Sequence, residues 1–246
     1  MAPMSPPRIA AMTLGFSSDA VQCTWSTQGA SSGMSYLLYY APGTASFAVH
    51  WMLIELGVEF RTERLDLTAG DQRSPDYLRV NPAGRVPALL IDGEVYTESA
   101  ALLMLLAERH PAAGLAPSLD DPRRARWLEL MIYLTNTLSS AMRDWFYAEK
   151  DGAPADADGI RRLARKRIES VWDRLNGLLA DGRRYLLGEQ MTTADLLATM
   201  LMRWSRNMPR PATSWDHIEP YVTRMRARPS FLELSRREGL TEWLNS

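Results

Sequence analysis

The chain has little of what several classes of protein require. It contains one cysteine, Cys23, so an intramolecular disulfide is excluded and we expect a reducing cytoplasm. Its three histidines are scattered and show no metal-ligand spacing, so we expect no metal. The longest apolar run extends only from Ala100 to Ala107, whereas a membrane-spanning helix needs about 20 residues. We therefore expect no membrane partner.

An excess of charge of either sign is also missing. The 28 basic and 29 acidic residues give a formal net charge of −1, so no global field favours nucleic acid. A basic cluster between Arg161 and Arg167 has Asp156, Asp158 and Glu169 close by in sequence, which indicates a solvated helix face. No glycine-rich phosphate loop of either common type is present. We expect no nucleic-acid partner.

Residues 1–33 differ in composition from the rest of the chain. They are rich in Ser, Ala, Pro and Gly, and they lack the basic start and compact apolar stretch of a secretory signal. We expect a disordered tail or a start codon placed too early, and a partner-binding arm is the alternative. Since Cys23 lies in this segment, we do not expect it to be a nucleophile.

Residues 34–110 alternate strand and helix signals. The predicted elements are a strand at 36–40, a helix at 47–56 ended by Gly57, a strand at 60–67, a hairpin of 87–91 and 94–96 around Asp92-Gly93, and a helix at 99–109. The order βαβ followed by ββα predicts a small mixed sheet covered by helices.

A linker and a helical region follow. Pro111, Gly114 and Pro117 punctuate residues 111–121, which we predict to be a linker. The helices predicted in residues 122–246 lie near 122–149, 159–181, 193–207, 215–227 and 230–237. The fold class predicted for the chain is therefore α/β followed by all-α.

The segment Asn81–Leu89, Asn-Pro-Ala-Gly-Arg-Val-Pro-Ala-Leu, is the most specific local signal. Pro87 cannot donate to a sheet ladder, so it must lie at a strand start or an edge. A cis peptide before Pro87 would turn the backbone N–H and C=O of Val86 outward, free to pair with an extended peptide. The alternative is an ordinary turn that leads into the hairpin.

Ten residues later, Thr97-Glu98-Ser99-Ala100 opens a helix. The first-turn N–H groups of a helix bind carboxylates well, and the Ser99 hydroxyl can add a hydrogen bond to the same anion. The Glu98 carboxylate can accept from an ammonium group. Together these groups would hold the α-amino acid end of a ligand, and a simple helix cap is the alternative.

In combination, these segments resemble the glutathione S-transferase superfamily over residues 36–240. The resemblance is closest to bacterial beta-class enzymes, through Tyr40–Phe47 and through Met191–Asp195, where Thr192 and Asp195 match a capping box. It implies a thioredoxin-like glutathione-binding domain followed by a helical bundle. It further implies a homodimer that conjugates glutathione, its cosubstrate, to a small hydrophobic electrophile in detoxification.

The resemblance also implies roles for individual residues. Val86, with Pro87 after it, would pair with the cysteinyl backbone of glutathione, and Glu98 and Ser99 would hold its γ-glutamyl end. Arg85 would line the same groove. The candidates for the electrophile pocket are Asn136, Trp204 and Met208, with an ordinary core role as the alternative for the Trp and the Met.

The chain departs from the beta class at Ala45, where those proteins carry a cysteine, and it lacks a histidine that they often supply to the second pocket. Disulfide chemistry through that thiol is excluded, which leaves activation of the glutathione thiol itself. A free thiol has a pKa of about 8.5, and a hydroxyl that donates to it at a helix N-terminus favours the thiolate. Ser46 is the first candidate donor, with an N-cap role as its alternative. Thr44 and Tyr40 are the other candidates.

Two further functions remain open at this stage. The same fold serves as a binding module with weak or absent catalysis, because function depends on the site and not on the fold. A glutathione-dependent isomerase would use the same thiolate. The retained Val86, Pro87, Glu98 and Ser99 favour the transferase or at least a glutathione binder.

Overall fold

The computed structural model describes residues 35–244, so the predicted tail and Cys23 lie outside the described residues. The first part contains β1 (Tyr36–Tyr40), α1 (Phe47–Leu56), β2 (Arg61–Arg64), α2 (Pro75–Val80), β3 (Ala88–Ile91), β4 (Glu94–Thr97) and α3 (Ser99–Arg109). The second part contains α4 (Arg124–Tyr133), α5 (Ser140–Asp151), α6 (Ala157–Leu179), α7 (Thr193–Trp204), α8 (Ile218–Arg226) and α9 (Pro229–Glu238). A thioredoxin-like βαβ–ββα unit followed by helices confirms the predicted fold class.

The four strands form one mixed sheet in the order β2-β1-β3-β4. β1 runs parallel to β2 and antiparallel to β3, and β3 pairs antiparallel with β4. Tyr39 lies opposite Ala88, and Ala88 lies opposite Thr97. The end of β1, the start of β3 and the end of β4 therefore meet at one end of the sheet.

Helix α1 lies in the middle of the molecule. All of its residues from Phe47 to Leu53 are buried, because it packs against α3 on one side and against α7 and α9 of the helical part. A helix that is apolar on every face is stable only when it is surrounded by protein. The turn that precedes α1 is consequently in contact with both parts of the chain.

Polar contacts reinforce the packing of α9 on α1. The Trp51 indole N–H donates to the Ser230 hydroxyl at 2.8 Å. Glu55, near the end of α1, forms an ion pair with Arg228 and accepts a hydrogen bond from Ser230. These groups lie more than 170 residues apart in sequence, so they join the two ends of the described chain.

Two differences from the predicted elements have local causes. β2 is shorter than the predicted strand at 60–67, because the Asp66 carboxylate accepts the N–H groups of Thr68 and Ala69 at 2.8 and 3.1 Å and turns the chain. Helix α2 was not predicted, although Ser74 caps it and Pro75 occupies its first turn.

The helix predicted at 122–149 is divided. A π-helical segment, Leu134–Ser139, separates α4 from α5, and α5 is kinked at Tyr147. The Thr135 hydroxyl donates to the Met131 carbonyl, which competes with the regular backbone ladder where the segment begins. The remaining predicted helices are each found, with ends shifted by a few residues. Among residues 35–244 we find no helix with the length and apolarity needed to span a membrane.

Candidate functional site

Three predicted segments meet at the end of the sheet where β1 stops. The turn Ala41–Ser46 follows β1, Val86-Pro87 precedes β3, and Glu98-Ser99 follows β4. The Ser99 hydroxyl donates to the Ala45 carbonyl at 2.8 Å, so the start of α3 contacts the turn directly. We describe this arrangement as the groove.

The Ser46 hydroxyl is used within the turn. It is fully buried, it accepts the Ala41 N–H at 3.2 Å, and it donates to the Ala41 carbonyl at 3.1 Å. Ser46 occupies the N-cap position of α1, but its side chain makes no cap hydrogen bond. Its role in this conformation is to hold the turn closed against the end of β1.

Thr44 is the more accessible of the two small hydroxyls. It is half-buried, and its Oγ1 lies 2.9 Å from Ser46 Oγ and 2.7 Å from the Ala41 carbonyl oxygen. In this conformation the Thr44 hydroxyl donates to the Ala41 carbonyl. Its proton points into the groove only when the hydroxyl rotates away from that carbonyl, to which Ser46 also donates. The pair can therefore support a hydrogen bond from Thr44 to a ligand.

Tyr40 is buried at the end of β1, and its ring lies 5.0 Å from the imidazole of His50. Burial raises the pKa of the Tyr40 phenol, the negative charge of Glu238 raises it further, and Arg64 opposes both. The phenol therefore stays protonated at neutral pH.

The peptide bond between Val86 and Pro87 is cis, which is one of the two alternatives that the sequence leaves open. Upstream, the Arg85 carbonyl accepts hydrogen bonds from the Tyr77 hydroxyl at 2.5 Å and from the Asn81 amide at 2.7 Å. Within residues 35–244, the backbone groups of Val86 form no hydrogen bond. Val86 thus presents a free donor and acceptor beside the turn, and the Arg85 side chain is exposed next to them.

At the start of α3, Glu98 is exposed and has a left-handed φ of +66°. In this conformation the Ser99 hydroxyl donates to Ala45, and the hydrogen bond from Ser99 to a ligand carboxylate stays a prediction. The first-turn N–H groups of α3 remain as donors to an anion. The Glu98 carboxylate can accept from an ammonium group beside them.

The three candidates for the electrophile pocket lie in different environments. Trp204, at the end of α7, is half-buried and donates its indole N–H to the Gly43 carbonyl at 3.0 Å. Met208 is buried, and Asn136 is exposed on the π-helical segment. The structure therefore brings Trp204 to the turn. Two surface clefts of about 380 and 350 Å³ lie elsewhere, lined by other residues.

Sequence reasoning missed a carboxylate that reaches the turn from α9. Glu238 accepts the Gly43 N–H at 2.7 Å and lies 2.9 Å from His50 Nδ1, and both side chains are buried. No local signal points to this contact, because Glu238 is 195 residues from Gly43. Among the described residues, no group of three or more His, Cys, Asp or Glu side chains is placed to hold a metal.

Comparison with known proteins identifies related chains. The model of the glutathione S-transferase N-terminal domain matches residues 45–109, and the model of the C-terminal domain matches residues 162–229. Glutathione S-transferase GstA of Escherichia coli O157:H7 is 29% identical over 205 residues, which cover 82% of this chain and 98% of that protein.

Solved structures give the same result. A glutathione transferase from Methylococcus capsulatus is 30% identical, with a TM-score of 0.74, and the match covers 83% of this chain and 99% of that one. A sphingomonad glutathione S-transferase complexed with glutathione is 30% identical, with a TM-score of 0.73 and the same coverage.

The matched regions coincide with the architecture. The first family model ends at Arg109, the last residue of α3, and the second extends from α6 to the start of α9. Sequence similarity, topology and the groove at the end of β1 thus agree. The chain belongs to the glutathione S-transferase family.

Proposed function

We propose that the protein is an enzyme that transfers the thiolate of reduced glutathione to an electrophilic carbon of a small hydrophobic compound. The observation that carries this proposal is the convergence of the turn Ala41–Ser46, the free backbone of Val86 and the start of α3 at one end of the sheet. The sphingomonad relative complexed with glutathione supports the choice of cosubstrate.

Each part of the groove suits one part of glutathione. The backbone of Val86 pairs with the cysteinyl unit in the manner of an added strand. The first-turn N–H groups of α3 hold the γ-glutamyl carboxylate, and Glu98 accepts from the ammonium group. Arg85 lies beside the peptide, and Pro87 fixes the start of β3.

The turn supplies the activation of the thiol. Thr44 donates to the sulfur when its hydroxyl turns away from the Ala41 carbonyl, and Ser46 Oγ, which lies 2.9 Å from Thr44 Oγ1, then donates to the Thr44 oxygen. This order differs from the one predicted from the sequence, because Ser46 is fully buried and Thr44 is not. The N-terminus of α1 adds a partial positive charge that favours the thiolate. Since residue 45 is alanine, the nucleophilic sulfur is that of glutathione.

We place the electrophile beside Trp204, with Met208 and Asn136 as further candidates for its pocket. Trp204 is half-buried and is already hydrogen-bonded to the turn, so a flat apolar compound on its ring would lie next to the sulfur. A role in detoxification in the cytoplasm is consistent with such a substrate.

The test measures binding and turnover separately. Reduced glutathione at about 100 times its dissociation constant should stabilise the fold by about 2.7 kcal/mol in a thermal melt. A nitro-activated aryl chloride should then be consumed with release of chloride. S-Methylglutathione is the matched control, because it should stabilise the protein without reacting. A melt that neither ligand moves contradicts the proposal, and a shift without turnover favours the binding module.

We also propose that the protein is a homodimer. Several apolar side chains are exposed on the described surface, among them Ile132 on α4, which is 59% exposed, and Val95 and Tyr96 on β4. Association of two copies would remove such apolar surface from water.

A further inference from the structure

Arg203, in the last turn of α7, is a buried cation beside the turn. The residue is only 3% exposed, and its Nη1 would lie 2.9 Å from a Cβ atom placed on Gly43. The guanidinium also lies 5.6 Å from the centre of the Phe47 ring. The charge is therefore held against the α-carbon of the residue that precedes Thr44.

Within the described part of the chain, Arg203 has no ion pair. Both oxygens of the nearby Glu238 carboxylate are engaged by Gly43 and His50, and Glu242 is paired with Arg206 at 2.8 Å. Burial lowers the pKa of Arg203 to about 10, helped by Arg206 and opposed by Glu242 and Glu238. Arg203 is therefore still protonated at neutral pH.

An unpaired buried cation is costly in a ligand-free protein. Replacing a buried charge with an apolar side chain of similar volume is often neutral or stabilising. The cation–π contact with Phe47 offsets only part of this cost. Glu238 and Glu242 offset more of it electrostatically without forming an ion pair with Arg203, and an anion on a bound ligand would add to their effect.

We propose that this anion is the thiolate of bound glutathione, and that Arg203 stabilises the thiolate across the Gly43–Thr44 turn. The inference rests on the proposed function and extends it to a residue of the helical part. For a sulfur that accepts from Thr44, one residue beyond Gly43, we take a separation from the guanidinium of about two α-carbon spacings, or about 8 Å. At that distance and an effective dielectric constant of about 20, a charge lowers the thiol pKa by about one to two units.

Other charged groups face the same turn, and they do not change the direction in which Arg203 shifts the thiol pKa. Glu238 opposes the effect, His50 adds to it when protonated, and the Arg206–Glu242 pair largely cancels itself. Because these groups stay in place, removal of the Arg203 charge raises the thiol pKa. Arg203 does not touch the reacting atoms. It stabilises the thiolate through its charge, from the other side of the turn, and we therefore call it a positioning residue and not a catalytic one.

The experiment compares Arg203→Met with Arg203→Lys, which keeps the charge. For Arg203→Met we expect the ligand-free melting temperature to be unchanged or higher. Ultraviolet titration of bound glutathione should show a thiol pKa about one to two units higher, with about 10- to 100-fold lower kcat/KM below that pKa. Affinity for S-methylglutathione, which carries no thiolate, should stay the same. Arg203→Lys should titrate like the unmodified protein.

A role confined to structure predicts a different pattern. Arg203→Met would then melt lower without ligand, bind both peptides more weakly and leave the thiol pKa unchanged, and that result overturns the inference. If Arg203→Met does not fold, Arg203→Gln takes its place, and equal thiol pKa values in the Gln and Lys variants overturn the inference. Absence of binding of either peptide to the unmodified protein refutes the proposed function, and the inference falls with it.

Discussion

At the scale of single residues, the thiol site depends on which hydroxyl meets the sulfur. Thr44→Ala should raise the pKa of bound glutathione and lower turnover near neutral pH, because it removes the half-buried hydroxyl of the turn. A hydrogen bond to a charged group is worth about 1.5–3 kcal/mol, which corresponds to about 10- to 150-fold in rate. Ultraviolet titration and steady-state kinetics measure the two effects, and Thr44→Ser should retain both.

Ser46→Ala and Tyr40→Phe are the matched variants for the other two hydroxyls. Ser46→Ala removes the hydrogen bonds to both backbone groups of Ala41, so we expect a loss of about 1–3 kcal/mol in unfolding free energy and a smaller change in the thiol titration. Tyr40→Phe should leave the titration in place. If Ser46→Ala moves the titration more than Thr44→Ala, the donor is Ser46.

Gly43 is constrained in two independent ways. Its φ is +68°, which costs other residues about 1–2 kcal/mol, and a Cβ atom there would meet Arg203 at 2.9 Å. Gly43→Ala should therefore lower the unfolding free energy by about 2–4 kcal/mol, since crowding adds to the backbone cost. Gly57→Ala isolates the backbone effect, because Gly57 has a φ of +64° and open space around it. Equal losses in denaturant titrations of the two variants would show that Arg203 does not crowd Gly43.

At the scale of elements, α9 supports the turn through one carboxylate. Glu238→Ala leaves the Gly43 N–H and His50 Nδ1 without their partner, so we expect a loss of about 3–5 kcal/mol and weaker conjugation by the folded fraction. Glu233→Ala on the same helix should change little, since water screens its contacts with Arg236 and Arg237. Similar stability of the two variants in denaturant would contradict the importance of this contact.

The start of α7 depends on Asp195. Its carboxylate accepts from the N–H groups of Leu186 and Thr192 and from the hydroxyls of Thr192 and Tyr221, at 2.7 to 3.1 Å, and the predicted capping box is present. Burial raises the pKa of Asp195, and these hydrogen bonds oppose the increase. Asp195→Ala should cost at least about 3 kcal/mol in unfolding free energy, because several buried donors lose their acceptor. Asp195→Asn keeps one acceptor oxygen and should cost less.

The elements predicted correctly are those with a local signal. The Asp92-Gly93 hairpin, the αL cap at Gly57 and the capping box at Thr192 each depend on a few neighbouring residues. The π-helical segment at 134–139 was not predictable in this way, because its helical pattern continues on both sides. Its position depends on the Thr135 side chain and on packing against α7.

The functional site likewise has parts with a local sequence signal and parts without one. The segments around Val86 and Glu98 carry local patterns, and sheet pairing brings them together. Glu238 and Arg203 reach the turn across most of the chain, and nothing in their own neighbourhood distinguishes them from surface or core residues. The burial of Ser46 could not be predicted from the local sequence either, because it depends on where the end of β1 lies in the folded protein.

At the scale of the whole molecule, we expect two copies to associate. In analytical ultracentrifugation at micromolar concentration, the measured mass of the protein should be twice the 27.7 kDa of one chain. Because the apolar side chain of Ile132 is exposed, we place it in the interface and expect Ile132→Lys to weaken the dimer. A single 27.7 kDa species across the concentration range would contradict the association.

The two hydrogen bonds that hold the backbone of Gly43 affect the order in which parts of the chain fold during synthesis. Its N–H is held by Glu238 and its C=O by Trp204, so the turn that begins the groove is completed by residues near the end of the chain. Domains generally begin to fold from the N-terminus while the ribosome is still extending the chain. The sheet can therefore form early, but the turn Ala41–Ser46 gains its last contact only after α9 has left the ribosome. We therefore expect α1 and the turn before it to reach their final packing last, when α7 and α9 have been synthesised.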